Sequence, residues 1–221
     1  ALSAIGAKTT GTVTVTNAVA ITGSVSELTA ALVTAGSLVE VSDATATVND
    51  ADGTGITATA LSAIGAKTTG TVTVTNAIAI TGSAAEVTAA LVTAGSLVEV
   101  TDAVVTITGN PTITELNNIA AKTTGVVTAT LAADSLSNLG DLTTAGTDAI
   151  TITVNDADAA GVTASDLSTL GGKTAGTVTV TNAVAITGSA AELTAALVTA
   201  STLVEVSDAT ATVNDADAAA I

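Results

Sequence analysis

The sequence repeats itself, and the period of the repeat limits the folds that are open to it. Residues 2–48 recur almost unchanged from Leu61, 59 residues further on, and again in a diverged form from Leu167. Each long repeat has two related parts, in which a leading apolar residue is followed 11 positions later by a β-branched residue. Eight such repeats, of 23 to 33 residues, begin at Leu2, Leu28, Leu61, Val87, Leu116, Leu139, Leu167 and Leu193. Repeats of this size bury their apolar face against their neighbours.

Each repeat contains a short helical signal followed by an extended one. Capping boxes, in which a Ser or Thr is followed three residues later by Glu, predict helix starts. They occur at Ser24/Glu27, Ser83/Glu86, Thr112/Glu115 and Ser189/Glu192. In residues 12–16, Thr and Val alternate strictly, which predicts a strand with valines on one face and threonines on the other. The homologous corner residue after the strand is Asn or Asp (Asn17, Asp43, Asn76 and Asp102), as expected of a turn.

These patterns predict a β-rich solenoid of parallel stacked coils, with short helical segments in each coil. The sequence does not decide whether the Ala-rich segments are helices or loops, because the two kinds of element need different spacings between coils. Strands stack about 4.8 Å apart, whereas packed helices need about 8–10 Å. We expect residues 1–221 to form a single repeat array. We also expect the chain to be a segment of a longer protein, because it opens inside a repeat.

Composition excludes several functions. The chain has no His, Cys, Met, Phe, Tyr or Trp, so it lacks an imidazole base, a thiolate nucleophile and the usual zinc ligands. We therefore expect no catalytic residues, no certain cofactor and no enzyme activity. A net charge of −16 disfavours nucleic acid as a partner. Apolar stretches are interrupted by Thr and Gly, so direct membrane insertion is not expected.

The most site-like motif is Asn-Asp-Ala-Asp, which occurs three times. Alternating oxygen ligands resemble the start of a Ca²⁺ loop, although the Glu that completes an EF-hand is missing. The candidate ligands are Asn49, Asp50, Asp52, Asn155, Asp156, Asp158, Asn214, Asp215 and Asp217. The second long repeat has Thr108-Gly109-Asn110-Pro111 in this place. We favour an acidic, solvated turn that closes the coil as the explanation of the motif, with Ca²⁺ binding as the alternative.

Two further patterns have ordinary explanations beside functional ones. The four lysines, Lys8, Lys67, Lys122 and Lys173, occupy one slot near the end of the short helix, where a positive charge complements the helix dipole. Rows of threonine resemble the ice-binding face of some antifreeze proteins. Glu40, Glu99 and Glu205 interrupt those rows in every other repeat.

Residues 164–180 (ASDLSTLGGKTAGTVTV), joined to residues 185–197 (AITGSAAELTAAL), resemble tandem repeats of giant secreted or cell-surface, adhesin-like proteins of marine cyanobacteria. The resemblance covers the whole chain. It implies an extracellular or cell-surface location and a structural or adhesive role. It brings no catalytic residues with it.

We therefore expect a non-catalytic structural module of an extracellular filament, surface layer or adhesin stalk, which self-associates into a fibre or array. The alternatives are a surface module that binds Ca²⁺ or glycan and, third, an ice-binding solenoid.

Overall fold

The computed structural model describes residues 1–34, 39–93, 98–199 and 204–215. The chain divides into two compact units. Unit 1 consists of residues 1–108 and 118–126, and unit 2 consists of residues 109–117 and 127–221. All the strand pairs named below are parallel.

Along the described residues, one to three strands separate successive helical segments, and helices and strands cover similar lengths of chain. The α-helices are α1 (Leu2–Gly6), α2 (Val25–Leu28), α3 (Ala58–Gly65), α4 (Ala84–Val87), α5 (Ile113–Ala120), α6 (Leu136–Leu139), α7 (Ala164–Gly171) and α8 (Ala190–Leu197). Two π-helical segments continue α2 and α4, namely π1 (Thr29–Val33) and π2 (Thr88–Val92). The first strands are β1 (Val13–Val15), β2 (Ala20–Gly23), β3 (Val39–Val41), β4 (Thr45–Val48), β5 (Gly55–Thr57), β6 (Val72–Val74), β7 (Ala79–Ser83) and β8 (Val98–Glu99). The remaining strands are β9 (Val104–Thr108), β10 (Val127–Thr130), β11 (Ala149–Val154), β12 (Gly161–Thr163), β13 (Val178–Val180), β14 (Ala185–Gly188), β15 (Val204–Val206) and β16 (Thr210–Val213).

The predicted fold class, a β-rich solenoid, is wrong. The chain is an α/β fold in which several parallel sheets are accompanied by eight α-helices in the described residues. The Ala-rich segments, which the sequence left open, are helical. They pack on one another, since α3 contacts α4 and π2 in unit 1, and α7 contacts α8 in unit 2. Short helices of this kind depend on such packing, which sequence periodicity does not display.

In unit 1 the strands form three groups, with the orders β1-β3, β2-β4-β6-β8 and β5-β7-β9. The predicted alternation holds in β6, where Val72 and Val74 are buried and Thr73 is exposed. Helix α3 adds Leu61 and Ile64, both fully buried, to the same core. Its N-cap is Thr57, whose hydroxyl accepts a hydrogen bond from the Ala60 N–H at 3.3 Å. Val/Ile faces and Ala-rich helices together thus form a core without aromatic rings.

In unit 2 the strand orders are β10-β11-β13-β15 and β12-β14-β16. Strand β11 is six residues long and pairs with two neighbours in succession. Its first half pairs with β10, and residues 152–154 pair with β13. The fully buried Ile150 and Ile152 therefore contribute to the core through different strand pairs.

Successive repeats of unit 1 approach closely where the Lys-Thr-Thr-Gly segment passes the preceding repeat. The Thr68 hydroxyl donates to the Ala44 carbonyl oxygen, and Gly70 lies against the same peptide. A Cβ at Gly70 would lie 2.8 Å from the Ala44 carbonyl carbon and 3.0 Å from the Asp43 oxygen. Gly11 has the same sequence neighbours, but a Cβ there would meet only the Thr9 Oγ1, at 3.4 Å.

We therefore expect Gly70→Ala to lower the free energy of unfolding by about 2 kcal/mol, in the range of overpacked cores, because the backbone of the neighbouring repeat must shift. Gly11→Ala is the matched control and should leave stability unchanged or slightly higher, since it restricts the unfolded chain. Urea unfolding followed by circular dichroism measures both. Equal stability of the Gly70→Ala variant and the wild type would contradict the close approach.

Candidate functional site

The helix starts predicted from capping boxes are confirmed. In each box the Ser or Thr oxygen accepts from the N–H of the Glu three residues on, at 3.2 to 3.4 Å. The Glu carboxylate in turn accepts from the N–H of the Ser or Thr, at 2.7 to 2.9 Å. The four pairs are Ser24/Glu27, Ser83/Glu86, Thr112/Glu115 and Ser189/Glu192.

These hydrogen bonds lower the pKa of each of the four glutamates below its ordinary value. The backbone N–H of the capping residue makes the largest contribution, and the hydroxyl of the same residue adds to it. Both groups donate to the carboxylate and so favour its charged form. Glu27, Glu86 and Glu192 are exposed and Glu115 is partly buried, and the hydrogen bonds that lower the pKa come from the capping residue itself, so the effect is local to the first turn of each helix.

The Asn-Asp-Ala-Asp motif supplies a second cap to a helix in the preceding repeat. In unit 1, Asp50 Oδ2 accepts the N–H of Val25, the first residue of α2, at 2.7 Å. The same contact occurs in unit 2 between Asp156 and the Leu136 N–H at 2.7 Å, and between Asp215 and the Ala190 N–H at 2.8 Å. A carboxylate at a helix N-terminus also complements the helix dipole. The first Asp of the motif therefore joins two repeats.

The second Asp of the motif contacts the following repeat. Asp52 Oδ1 accepts the Ala77 N–H at 3.0 Å, and Asp158 Oδ1 accepts the Ala183 N–H at 3.1 Å. The corner asparagines face the same turns. Asn76 Nδ2 donates to the Asp50 carbonyl oxygen at 2.6 Å, and Asn182 Nδ2 to that of Asp156 at 2.7 Å. The corner residues predicted as turns thus also bond between repeats.

In two of its copies the motif is followed by a residue with left-handed backbone. Gly53 has φ +73°, and its counterpart Ala159 has φ +60°. The N–H of this residue donates a hydrogen bond of 2.8 Å to a carbonyl oxygen of the next repeat in both copies, from Gly53 to Ala77 and from Ala159 to Ala183. Glycine adopts this conformation without cost, whereas alanine does not. The hydrogen bonds on both sides of the turn hold Ala159 there.

The structure places the nine candidate Ca²⁺ ligands as follows. Asn49, Asn155 and Asn214 are exposed. One carboxylate oxygen accepts the first N–H of a helix in Asp50, Asp156 and Asp215. One carboxylate oxygen accepts the N–H of an alanine next to a corner asparagine in Asp52 and Asp158. Asp217 lies outside the described residues. Within the described ranges, no three acidic side chains come close enough together to hold a metal ion. Calcium binding remains a prediction. In the described residues the motif side chains bond to backbone N–H groups around the turns.

A groove of about 440 Å³ lies between α6 and α7 in unit 2. Its charged lining residues are Asp156, Asp166 and Lys173. Each of them is already engaged: Asp156 with Leu136, Asp166 with the Thr163 hydroxyl at 2.7 Å, and the Lys173 Nζ with the Leu142 carbonyl oxygen at 2.6 Å. The contacts of Asp156 and Lys173 join neighbouring repeats, whereas the contact of Asp166 is local to the start of α7.

Sequence reasoning missed one buried carboxylate. Asp148 is 4% exposed, and its two oxygens accept the N–H groups of Val127 at 2.8 Å and Ala145 at 3.0 Å. The signal was available, because Asp148 stands nine residues after its leading Leu139. Four repeats have glycine at that position: Gly11, Gly70, Gly125 and Gly176. An acidic residue where four other repeats have glycine marks this position as different, and its carboxylate accepts two backbone N–H groups there.

Comparison of the chain with protein-family models, with curated proteins and with solved structures finds no match in any of the three. None of the helices in the described part of the chain is long and apolar enough to cross a membrane.

The cap supplied from the next repeat gives a stability prediction. Asp50→Ala removes the acceptor of the Val25 N–H and should lower the free energy of unfolding by about 1 kcal/mol, as for other lost helix caps. Asn49→Ala, at the exposed neighbouring residue, is the control and should change stability little. Urea unfolding at neutral pH measures both. An Asp50→Ala variant no less stable than Asn49→Ala would argue against the cap.

The capping boxes give a pH prediction. Since the folded pKa of Glu27, Glu86 and Glu192 is lowered from 4.5, their stabilisation is present above pH about 4.5. It is lost as the pH falls through the lower folded value. Replacing all three by Gln should therefore reduce the loss of stability in acid, measured by urea midpoints at a series of pH values. Gln at the exposed strand residues Glu40, Glu99 and Glu205 is the control for net charge. If the urea midpoints of both variants fall equally as the pH is lowered, the capping boxes do not cause the loss of stability in acid.

Proposed function

We propose that this chain is a non-catalytic structural module, a rigid spacer in an extracellular filament, surface layer or adhesin stalk. The observation that carries the proposal is that the polar side chains that resemble a binding site form hydrogen bonds between repeats. The acids of Asn-Asp-Ala-Asp bond to backbone groups of the preceding and the following repeat. Groups that a binding or catalytic site would direct toward a ligand are used here to join repeats.

Three kinds of contact support a mechanical role. Strands of neighbouring repeats share parallel hydrogen bonds, as in β4 with β6. Helices receive a cap from the next repeat, and the Thr75 hydroxyl donates to the Val48 carbonyl oxygen at 3.1 Å. Each contact joins residues about 25 positions apart in sequence, so a pull on one repeat is passed to its neighbour through several hydrogen bonds at once. This arrangement suits a protein that transmits tension.

The location and the partners are part of the proposal. The extracellular assignment rests on the resemblance of residues 164–180 and 185–197 to repeats of secreted proteins. The net charge of −16 keeps the surface soluble and unattractive to nucleic acid or to anionic lipid. The ice-binding alternative required a solenoid with a continuous threonine face. In the structure, Thr14 is paired with Glu40, Thr73 with Glu99 and Thr179 with Glu205, which breaks the rows.

The proposal can be tested by holding a single molecule by its two ends and pulling, in Ca²⁺ and in chelator. A structural spacer is expected to keep its length until it unfolds in discrete steps, at the same force in both solutions. The double variant Asp50→Ala/Asp156→Ala should unfold at lower force, and Asn49→Ala/Asn155→Ala is its matched control. Smooth extension at low force would refute the spacer, and resistance that requires Ca²⁺ would favour the calcium-binding alternative.

A further inference from the structure

Strand β12 of unit 2 has an edge that no other strand covers, although it lies between repeats in the interior of the sequence. It stands first in the sheet β12-β14-β16 and pairs with β14 alone among the described residues. The chain before it passes from β10 to α6 with a single bridge, from Asp134 to Val154, and provides no strand at this place. The open edge therefore results from how the repeats are wound.

The backbone groups on this edge can be assigned from the strand pairing. The Ala185 N–H donates to the Ala160 carbonyl oxygen at 2.8 Å, and Gly161 is paired with Ala185 in the register. In a parallel pair, alternate residues of a strand bond to a given neighbour. Val162 therefore bonds toward β14, whereas Gly161 and Thr163 direct their N–H groups to the open side. Within the described part of the chain, no hydrogen bond is made to the backbone of Gly161.

The open edge belongs to the groove of about 440 Å³ between α6 and α7, which Gly161 and Thr163 help to line. Leu136, Val162 and Leu170 give it an apolar lining, since each is no more than 7% exposed. Helix α7, on one side of the groove, has eight residues and is about 12 Å long. Four extended residues, at about 3.3 Å each, cover a similar length. The groove therefore has room for a short extended segment.

The homologous place in unit 1 is built differently. There α2 continues as π1, which packs against α3. Helix α6 instead ends at Leu139, and Gly140 follows in the position of Thr29. Helix α7 is thus left without the π-helical neighbour that α3 has. It also has Asp166 where α3 has Ala60, so an acidic side chain is added to the groove in unit 2 alone.

The charge that the groove offers to a partner is negative. Asp166 is exposed, and only its Oδ2 is bonded in the described residues, to the Thr163 hydroxyl at 2.7 Å. The Lys173 Nζ is occupied by the Leu142 carbonyl oxygen at 2.6 Å, and Asp156 caps α6. A basic side chain therefore complements this groove. Free N–H and C=O groups on a strand edge, in turn, are the template that another strand pairs with.

We infer that the groove between α6 and α7 binds an extended peptide segment of another protein, which adds a strand to β12 and places a Lys or Arg beside Asp166. Gly161 provides an N–H and a C=O to the added strand. The apolar lining takes the side chains on one face of the segment, and the basic residue lies on the other face. The site goes beyond the structural role, because it uses backbone groups that do not join repeats.

A synthetic peptide, acetyl-Thr-Val-Lys-Val-Thr-amide, is a suitable probe because β-branched residues favour extended chain. ¹⁵N-glycine labelling of the full chain gives 19 glycines to observe by NMR. The Gly161 and Gly55 signals are identified by their loss in Gly161→Ala and Gly55→Ala, since a Cβ at either position has no atom within 4 Å. The peptide is expected to shift the Gly161 signal in a saturable manner and to leave that of Gly55, in β5 of unit 1, unchanged.

Fluorescence anisotropy of the labelled peptide measures affinity, with circular dichroism melts to verify folding. Gly161→Pro removes the N–H on the open edge and should weaken binding about tenfold, whereas Gly161→Ala keeps that N–H and should bind as the wild type does. Asp166→Ala introduces the residue that α3 has and should weaken binding about threefold, as expected of an exposed charge pair. Replacing the peptide's Lys by Glu should weaken binding at least as much. A peptide N-methylated at its three central amides should not bind, and this test needs no protein variant.

Several outcomes would overturn the inference. They are the absence of a Gly161 shift at several millimolar peptide, an equal shift of Gly55, and undiminished binding of the N-methylated peptide. A Gly161 signal that moves with protein concentration alone would assign the edge to a second copy of the chain. A saturable shift with cellobiose but not with the peptide would assign the groove to a glycan. The pulling experiment contains no peptide, so loss of this site and loss of the spacer role are distinguishable.

Discussion

In the described part of the chain the backbones of successive repeats touch at three homologous places, and the rest of the structure depends on this contact. A threonine hydroxyl donates to a carbonyl oxygen of the preceding repeat, and a glycine two residues later leaves room for that peptide. The carbonyl groups belong to Ala44 and Ala103 in unit 1 and to Ile150 in unit 2. At this distance the neighbouring strands can share hydrogen bonds, and Val, Ile and Leu suffice to fill the space between them. Larger side chains would hold the repeats apart.

The acidic motifs are explained by the same need to satisfy backbone groups between repeats. The first turn of a helix has free N–H groups, and a short helix has few other bonds to compensate for them. The capping Ser and Glu satisfy two of these groups locally, and an Asp from the next repeat takes another. Each such Asp caps the helix of the repeat before it and thereby joins the two repeats. The described part of this motif, which resembles a ligand site in sequence, therefore has a structural role in joining repeats.

Local signals predicted the structure well where the partners lie close in sequence. The capping boxes and the alternating burial of Val72, Thr73 and Val74 follow from contacts within a few residues. The fold class could not be predicted in this way. Segments such as Thr29–Val33 show no amphipathic pattern of their own, and they become helical by packing on neighbouring helices. The prediction of a β-rich solenoid therefore gave too little weight to these helical segments.

The sequence by itself determined the repeat, because the same residues recur along the chain. It also determined the helix starts, the strand faces and the turns, because these depend on residue type and on spacings of two to four positions. Tertiary structure alone decided which strands lie side by side. Sequence homology alone would pair strands from equivalent positions of the repeats. Strand β4 does pair with its equivalent β2 on one side, but on the other side it pairs with β6, which comes from a different part of the repeat. The tertiary structure also assigned Asp50 to a helix 25 residues away. Such choices follow from the close packing of whole repeats, which no local pattern records.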